Sequence, residues 1–159
     1  MIVTDTLCVV YLPPMLLLGM KLRGFGEGKW NGPGGKVETD KGETIPDACL
    51  RESKEEVGID IISMEKMGVL HFKFEGKPLE RMVHIFWVKE FSGEICQSDE
   101  MAPRWFHKDH IPYGDMWLDD EKWLPLLLEG KKFTGWFQFD YDGKVILAYE
   151  LDIVEELPV

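Results

Sequence analysis

The feature that most constrains the fold is a glycine-rich segment followed closely by a capped helix. Residues 24–35, GFGEGKWNGPGG, contain six glycines and one proline, too many for a regular element, so we predict a loop whose backbone can approach a ligand. Thr44 and Asp47 resemble a capping box and Gly58 supplies a C-cap, so the sequence predicts a helix over 45–57. We expect this loop and this helix to lie side by side within one domain.

The remaining chain alternates apolar and turn-forming residues in a way typical of a mixed sheet. A buried hairpin is predicted from residues 6–12 and 15–20 around Pro13-Pro14. Further predicted elements are strands at 69–74, 83–88 and 133–139, a last strand or helix at 145–154, and a helix at 123–128 with Pro125 in its first turn. No repeat or polar linker interrupts the series, so we expect one α/β domain over 1–159, a mixed β-sheet between helices (α/β/α).

Composition excludes several classes of function. Lysine and arginine total 18 against 29 acidic residues, a net charge of -11, which disfavours polymeric nucleic acid as a partner. An acidic protein that acts on an anionic substrate needs a local cation, and a divalent metal is the simplest one. The cysteines at 8, 49 and 96 form no CxxC pair, so we expect neither a disulfide framework nor a zinc site. No apolar run reaches the ~18 residues of a membrane span, and no obligate protein partner is indicated.

The predicted helix carries glutamates on one face. Glu52, Glu55 and Glu56 follow Arg51 at spacings that place them together on a 3.6-residue turn, where like charges repel. A solvated acidic face is the simpler interpretation of such a helix alone. Because a loop able to present backbone N–H groups to phosphate comes first, we favour a site in which magnesium joins carboxylates to phosphate oxygens.

These residues resemble the Nudix hydrolase box, which runs G, five residues, E, seven residues, REU, one residue, EE, one residue, GU, with U aliphatic. The chain has Glu43, seven residues, and then RESKEEVGI at 51–59. It departs from the box in two ways, since seven residues separate Gly35 from Glu43 and Ser53 replaces an aliphatic residue. The resemblance implies a Nudix fold, a bound Mg²⁺ that Mn²⁺ can replace, and attack on phosphorus by a metal-bound water.

The same resemblance assigns roles within the box. It implies metal ligation by Gly34, Glu52, Glu55, Glu56 and Glu100, and catalytic roles for Glu52, Glu56 and Arg51. Glu43 and Arg51 would mainly organise the helix and the loop. Whether Glu52 or Glu56 acts as the general base stays open.

Outside the box, the chain is similar to the Nudix enzymes that hydrolyse oxidised purine nucleoside triphosphates. The matching segments are LLLGMKLRGFGEGKWNGPGGKV (16–37), SDEM (98–101), MWLDDEKWLPLLL (116–128) and KKFTGWFQF (131–139). This resemblance implies a substrate site made of Thr6, Lys21, Asn31, Gly34, Gly35, Lys36, Phe72, Phe74, Trp117, Asp119 and Asp120. In it, Asn31 and the two aspartates would read the base and Trp117 would stack on it. Pro33, Arg81 and Met82 depart from the pattern of these enzymes.

Two features have competing interpretations. Asp119 and Asp120 would share a proton if both faced one base in a partly dry pocket, so that one donates while the other accepts. Taken alone, the same pair is typical of a helix N-terminus. His107 and His110 have helical spacing but no HExxH context, so we interpret all four histidines as surface or core residues.

The leading hypothesis is a magnesium-dependent pyrophosphohydrolase that converts 8-oxo-dGTP and 2-hydroxy-dATP to monophosphate and pyrophosphate and so sanitises the nucleotide pool. The alternatives are a Nudix hydrolase for methylated purine triphosphates or dinucleoside polyphosphates, or an inactive nucleotide-binding protein. We expect a cytoplasmic monomer, with mitochondrial and nuclear pools left open.

Overall fold

The computed structural model describes residues 1–158, in which nine strands, two α-helices and two single-turn 3-10 helices (Thr39–Lys41 and Tyr113–Asp115) are found. The strands are β1 (Ile2–Leu12), β2 (Met15–Lys21), β3 (Trp30–Asn31), β4 (Gly34–Lys36), β5 (Asp60–Phe74), β6 (Glu80–Ser92), β7 (Met101–His107), β8 (Lys132–Phe139) and β9 (Ile146–Val154). The helices are α1 (Ile45–Val57) and α2 (Asp120–Leu128).

All nine strands join one mixed sheet. The order is β3-β2-β1-β6-β5-β8-β9, with β4 paired to β1 and β7 paired to β2. The β1–β6 and β5–β8 pairs are parallel and the other pairs are antiparallel. Strands that are buried on both faces read as continuous apolar runs, whereas strands with one exposed face alternate apolar and polar residues. Two parallel pairs inside an otherwise antiparallel sheet are consistent with both patterns in one sequence.

Both faces of the central strand β1 are buried, and one helix covers each face. Val9 and Tyr11 pack in a cluster with Trp123, Leu124 and Leu127 of α2. Cys8 and Val10 face the other way and pack in a second cluster with Cys49 and Val57 of α1. The alternation along one strand therefore places α1 and α2 on opposite faces, and the predicted α/β/α arrangement is confirmed.

Helix α1 begins and ends as its sequence predicts. The Thr44 hydroxyl accepts a hydrogen bond from the Asp47 N–H at 3.2 Å, and Gly58 closes the helix in the left-handed region with φ of 79°. Both ends satisfy backbone groups that the helix itself leaves unpaired. Because these signals are local, the predicted bounds of 45–57 agree with the structure.

Several predictions about the other elements need correction. The glycine-rich segment is not wholly a loop, because Trp30–Asn31 and Gly34–Lys36 form short strands. Strand β7 was missed. The last element, which the sequence left open between strand and helix, is strand β9, because it pairs with β8. Pro125 lies inside α2 and not in its first turn, since the helix begins at Asp120.

Two of the three cysteines lie together in the core. Cys8 on β1 and Cys49 on α1 are both fully buried with their sulfurs in contact, whereas Cys96 is exposed. A strand and a helix that pack together bring the two sulfurs into contact, which their separation of 41 residues did not indicate. Within residues 1–158 no helix has both the length and the apolar character needed to cross a bilayer.

Candidate active site

One large cavity lies between the sheet and the segments that lead into α1 and α2. Its volume is about 710 Å³, which suits a nucleotide-sized ligand. The predicted site residues that line it are Thr6, Lys21, Asn31, Gly34, Gly35, Lys36, Glu56, Phe72, Phe74, Glu100, Trp117, Asp119 and Asp120. Glu52 lies beside these residues and packs against Gly35. The two are so close that a Cβ atom added to Gly35 would lie 2.7 Å from Glu52 Oε1.

Glu56 is the central carboxylate at one end of the cavity. It is 1% exposed. The Gly34 N–H donates to its Oε1 at 2.8 Å and Lys21 Nζ lies 3.3 Å from its Oε2. Burial raises the pKa of Glu56, while the hydrogen bond from Gly34 and the charge of Lys21 oppose that rise. Gly34 must be glycine, because a Cβ there would overlap the Thr6 carbonyl oxygen.

Arg51 joins the helix to the loop before it. Its guanidinium donates to Glu43 at 2.7 Å and 3.0 Å, to Glu52 at 2.9 Å and to the Lys36 carbonyl at 3.1 Å. The hydrogen bonds from Arg51 lower the pKa of Glu43 to about 2. Burial raises the pKa of Glu52 to about 7, although Arg51 opposes the rise and the charge of Glu56 adds to it. These contacts agree with an organising role for Arg51 and Glu43.

The carboxylates suit a divalent cation. Lys21 Nζ lies 3.6 Å from Glu100 as well as 3.3 Å from Glu56, so an ammonium group already bridges two carboxylates at this end. Carboxylate oxygens are the ligands that Mg²⁺ prefers, and a buried carboxylate is stabilised by a nearby positive charge. In residues 1–158, however, no three acidic, histidine or cysteine side chains converge on a single point. Glu55 is 59% exposed and pairs with Arg51 instead.

At the other end of the cavity two buried aspartates begin α2. Asp119 and Asp120 are 4% and 3% exposed, and Trp123 Nε1 donates to Asp119 Oδ2 at 2.8 Å. Burial raises the pKa of Asp119 to about 6. Burial and the charge of Asp119 together raise the pKa of Asp120 well above its ordinary value. In the described chain Asp120 Oδ2 is buried with no hydrogen-bond partner, so the pair is not a solvated helix N-terminus.

Aromatic side chains form the walls beside the aspartates. Trp117 packs edge-to-face on Phe74 and Phe139, at centroid distances of 6.3 Å and 6.1 Å. Phe25 stacks on Trp117 at 5.1 Å. Phe72 stacks on the core residue Phe137 at 5.7 Å and reaches the cavity as well. The arrangement gives a planar ligand both an aromatic face and an acidic edge.

Sequence reasoning missed several residues that line the cavity, among them Asp5, Phe25 and Arg81. Arg81 NH1 donates to Asp5 Oδ2 at 2.8 Å, and its Cζ lies 4.6 Å from the Phe25 ring centroid. The signal for Asp5 was an acidic residue inside an apolar strand, where a buried charge requires a partner. The identity of that partner depended on β1 pairing with β6, 76 residues along the chain.

Comparison with known proteins places this arrangement in a family. The NUDIX domain model matches residues 2–127, which include both ends of the cavity. The chain belongs to the Nudix family. Nudix hydrolases act on small nucleotide substrates and generally use a divalent metal, so the Nudix chemistry expected from the box is confirmed at that level.

The chain also has Nudix relatives of nearly full length. It is 49% identical to the oxidized purine nucleoside triphosphate hydrolase of Danio rerio over 152 residues, which are 96% of each chain. It is 48% identical to the Mus musculus protein of the same name, with 94% of each chain covered. Among solved structures, the MutT protein from Bacillus halodurans superposes with a TM-score of 0.83 at 32% identity, over 94% of this chain and 97% of that one.

Proposed function

We propose that this Nudix hydrolase is a magnesium-dependent pyrophosphohydrolase that converts 8-oxo-dGTP and 2-hydroxy-dATP to monophosphate and pyrophosphate. The observation that carries the proposal is one cavity with the buried Glu56 beside Glu100 at one end and the Asp119–Asp120 pair beside Trp117 at the other. The Danio rerio and Mus musculus relatives, named oxidized purine nucleoside triphosphate hydrolase, support the same substrate class. We extend the proposal to one domain over 1–159 and to the cytoplasmic nucleotide pool, with mitochondrial and nuclear pools as further settings.

At the phosphate end, we assign metal ligation to Gly34 through its carbonyl and to four carboxylates. These are Glu52, Glu55, Glu56 and Glu100. A bound Mg²⁺ would supply charge neutralisation and a lowered pKa for an attacking water. Lys21 lies between Glu56 and Glu100, so it can move from these carboxylates to the phosphate oxygens when substrate arrives.

The residues around the phosphate end have separate tasks. Glu56 is held by the Gly34 N–H, which fixes its orientation for proton transfer, and Glu52 is the second candidate base. Arg51 holds Glu52 and Glu43 in place and so keeps α1 in register with the loop. We assign Gly35 and Lys36 to the flank of the phosphates. Gly35 has no side chain and so leaves room for Glu52.

At the base end, we assign recognition to Asn31, Asp119 and Asp120. The Asn31 Oδ1 accepts from the Gly32 N–H at 2.9 Å, which orients its amide donors. The buried aspartates cannot both ionise at low cost, so they hold a shared proton. Relocating that proton changes which carboxyl donates, and this allows one pocket to accept both 8-oxoguanine and 2-hydroxyadenine. Trp117 stacks on the base while Thr6, Phe72 and Phe74 complete the wall.

The test is pyrophosphate release from 8-oxo-dGTP, 2-hydroxy-dATP and unmodified dGTP, with magnesium and with chelator. Wild type should turn over the oxidised purines in preference to dGTP, and only with the metal. Glu56→Gln should lose this turnover, because the amide can neither ligate strongly nor take a proton. Glu90→Gln, the same change at an exposed position on β6, should keep it.

The outcomes separate the chemistry from the substrate. Magnesium-dependent turnover with no preference for oxidised bases would refute the proposed substrate and leave a Nudix hydrolase of other nucleotides. No turnover of any triphosphate would refute the hydrolase assignment itself. Equal losses on both oxidised substrates in Asp119→Asn and Asp120→Asn would refute the proton exchange.

A further inference from the structure

The cations that line the cavity divide into two groups. Lys21 and Arg23 both lie 3.6 Å from Glu100. These two belong to the carboxylate end, and Lys36 lies opposite Asp5 in the β1–β4 pair. Arg81 is different, because its Cζ lies 4.6 Å from the Phe25 ring centroid and it is paired with Phe72 across the β5–β6 ladder. Arg81 is therefore the cavity-lining cation of the aromatic end.

Asp5 fixes Arg81 in place. The Asp5 carboxylate is buried and accepts from Arg81 NH1 at 2.8 Å, while the arginine side chain keeps 25% of its surface exposed toward the cavity. Removing one partner of a buried ion pair leaves the other charge uncompensated, which destabilises a protein by more than the intact pair stabilises it. Asp5 therefore holds the guanidinium in place. The pair is also neutral overall, so it adds hydrogen-bond donors to the pocket without adding net charge.

Arg81 retains unused donors. A guanidinium carries five N–H donors in a fixed fork, and the bond to Asp5 is its one protein hydrogen bond within residues 1–158. The guanidinium lies over the ring of Phe25, which in turn stacks on Trp117. The remaining donors therefore lie at the aromatic wall on which a base would stack.

The polar groups at this end of the pocket complement one class of purine. The Asp119–Asp120 pair suits N–H donors of the base, while a guanidinium can only donate and so requires an acceptor. Guanine-type purines carry a carbonyl oxygen at C6, and adenine-type purines carry an amino group there. In nucleic-acid recognition, arginine commonly donates to the O6 carbonyl of guanine. 8-Oxoguanine keeps that carbonyl although its N7 carries a proton, whereas an amino group at C6 would place N–H donors opposite N–H donors.

We propose that Arg81, anchored by Asp5, donates to the carbonyl edge of the bound base and makes the pocket prefer purines with a carbonyl at C6 over purines with an amino group there. The inference rests on the proposed function, since it names the base class within the same site. It makes Arg81 a specificity-determining residue of the pocket.

The experiment measures calorimetric binding of 8-oxo-dGMP, with a carbonyl at C6, and of 2-hydroxy-dAMP, with an amino group at C6, in chelator, so that neither metal nor catalysis enters. Because the two bases also differ at C2 and C8, the quantity compared is the change in their binding ratio between each variant and wild type. Arg81→Met removes the fork and keeps much of the length of the side chain. It should weaken 8-oxo-dGMP binding by about ten-fold, the loss expected for a hydrogen bond from a charged donor, and should leave 2-hydroxy-dAMP within about two-fold. Arg104→Met, the same change at an exposed arginine that contacts Phe106 on β7, should change neither.

A second variant separates base reading from a structural effect. Arg81→Met alone leaves Asp5 buried without its partner, so the double variant Asp5→Asn/Arg81→Met removes both charges. The double variant should show the same shift in preference, with a melting temperature near that of wild type. A change in the ratio of the two dissociation constants of about two-fold or less, in either variant, would overturn the proposal.

Failure of the proposed function and failure of the role of Arg81 would give different results. Absence of pyrophosphate release by wild type from both triphosphates would overturn the hydrolase assignment, while binding of the monophosphates would still report on Arg81. Turnover of both substrates with an unchanged binding ratio in the two variants would overturn the role of Arg81 alone.

Discussion

The buried aspartate pair predicts an unusual dependence of stability on pH. Asp119 is 4% exposed, and burial raises its pKa from 3.8 to about 6. Below about pH 4 this carboxyl is protonated in both the folded and the unfolded chain, so its ionisation does not affect stability. As pH rises from about 4 to about 6 the unfolded chain ionises first, and the folded protein loses stability. Above that window the loss is constant.

The size of the effect follows from the pKa. Each pKa unit corresponds to about 1.4 kcal/mol, so the difference between 3.8 and about 6 costs about 3 kcal/mol at neutral pH. Asp119→Asn abolishes this cost and keeps a carbonyl oxygen that can accept from Trp123 Nε1. The variant also relieves Asp120 of a neighbouring charge, which acts in the same direction. For a domain of this size about 3 kcal/mol corresponds to roughly 6–12 °C in Tm.

The assay is thermal unfolding of wild type and Asp119→Asn from pH 4 to pH 8. The Tm of the variant minus that of wild type should increase by roughly 6–12 °C between pH 4 and pH 7 and then stay level. Asp142→Asn, at an exposed turn residue between β8 and β9, should give a difference that does not vary with pH. A flat difference for Asp119→Asn, or one that shrinks as pH rises, would refute the idea that this carboxyl is costly to ionise in the folded protein.

Three further predictions concern α1 and the loop before it. Gly35→Ala should abolish most turnover with little change in Tm, because its Cβ would lie 2.7 Å from Glu52 Oε1. Gly114→Ala, where an added Cβ meets open space, should stay active. Pyrophosphate release measures both, and an active Gly35→Ala enzyme would contradict the crowding of Glu52. Thr44→Ala removes the N-cap that accepts from Asp47 and should cost about 1 kcal/mol, measured by urea unfolding, and an unchanged midpoint would show that the cap is dispensable. Ser53→Ala deletes a fully buried hydroxyl that has no hydrogen-bond partner among residues 1–158. It should raise the free energy of unfolding by about 1 kcal/mol in the same assay. A lower urea midpoint would show that the hydroxyl stabilises the fold.

Ser53 also illustrates how a departure from a motif is accommodated. The family box has an aliphatic residue at this position, and the side chain here is small, polar and fully buried. Helix α1 nevertheless keeps its predicted bounds, because Thr44, Pro46 and Gly58 fix its two ends locally. Glu52 and Glu56, on the same helix, therefore keep the positions that these ends set.

The sequence by itself determined those parts of the protein whose signals are local. The caps of α1, the apolar runs of the opening hairpin and the spacing of the glutamates each lie within a few residues. These signals predicted α1, and the resemblance of the glutamate spacing to the Nudix box implied the site residues and an enzyme that acts on nucleotides.

Only the tertiary structure decided which of those side chains share an environment. It buries Glu56 and leaves Glu55 exposed although the two are adjacent, because one face of α1 meets β4 and the other meets solvent. It pairs Asp5 with Arg81 through the parallel contact of β1 and β6. It makes 145–154 a strand because β8 offers an edge. Burial and pairing between distant segments depend on the whole sheet, and no local pattern encodes them.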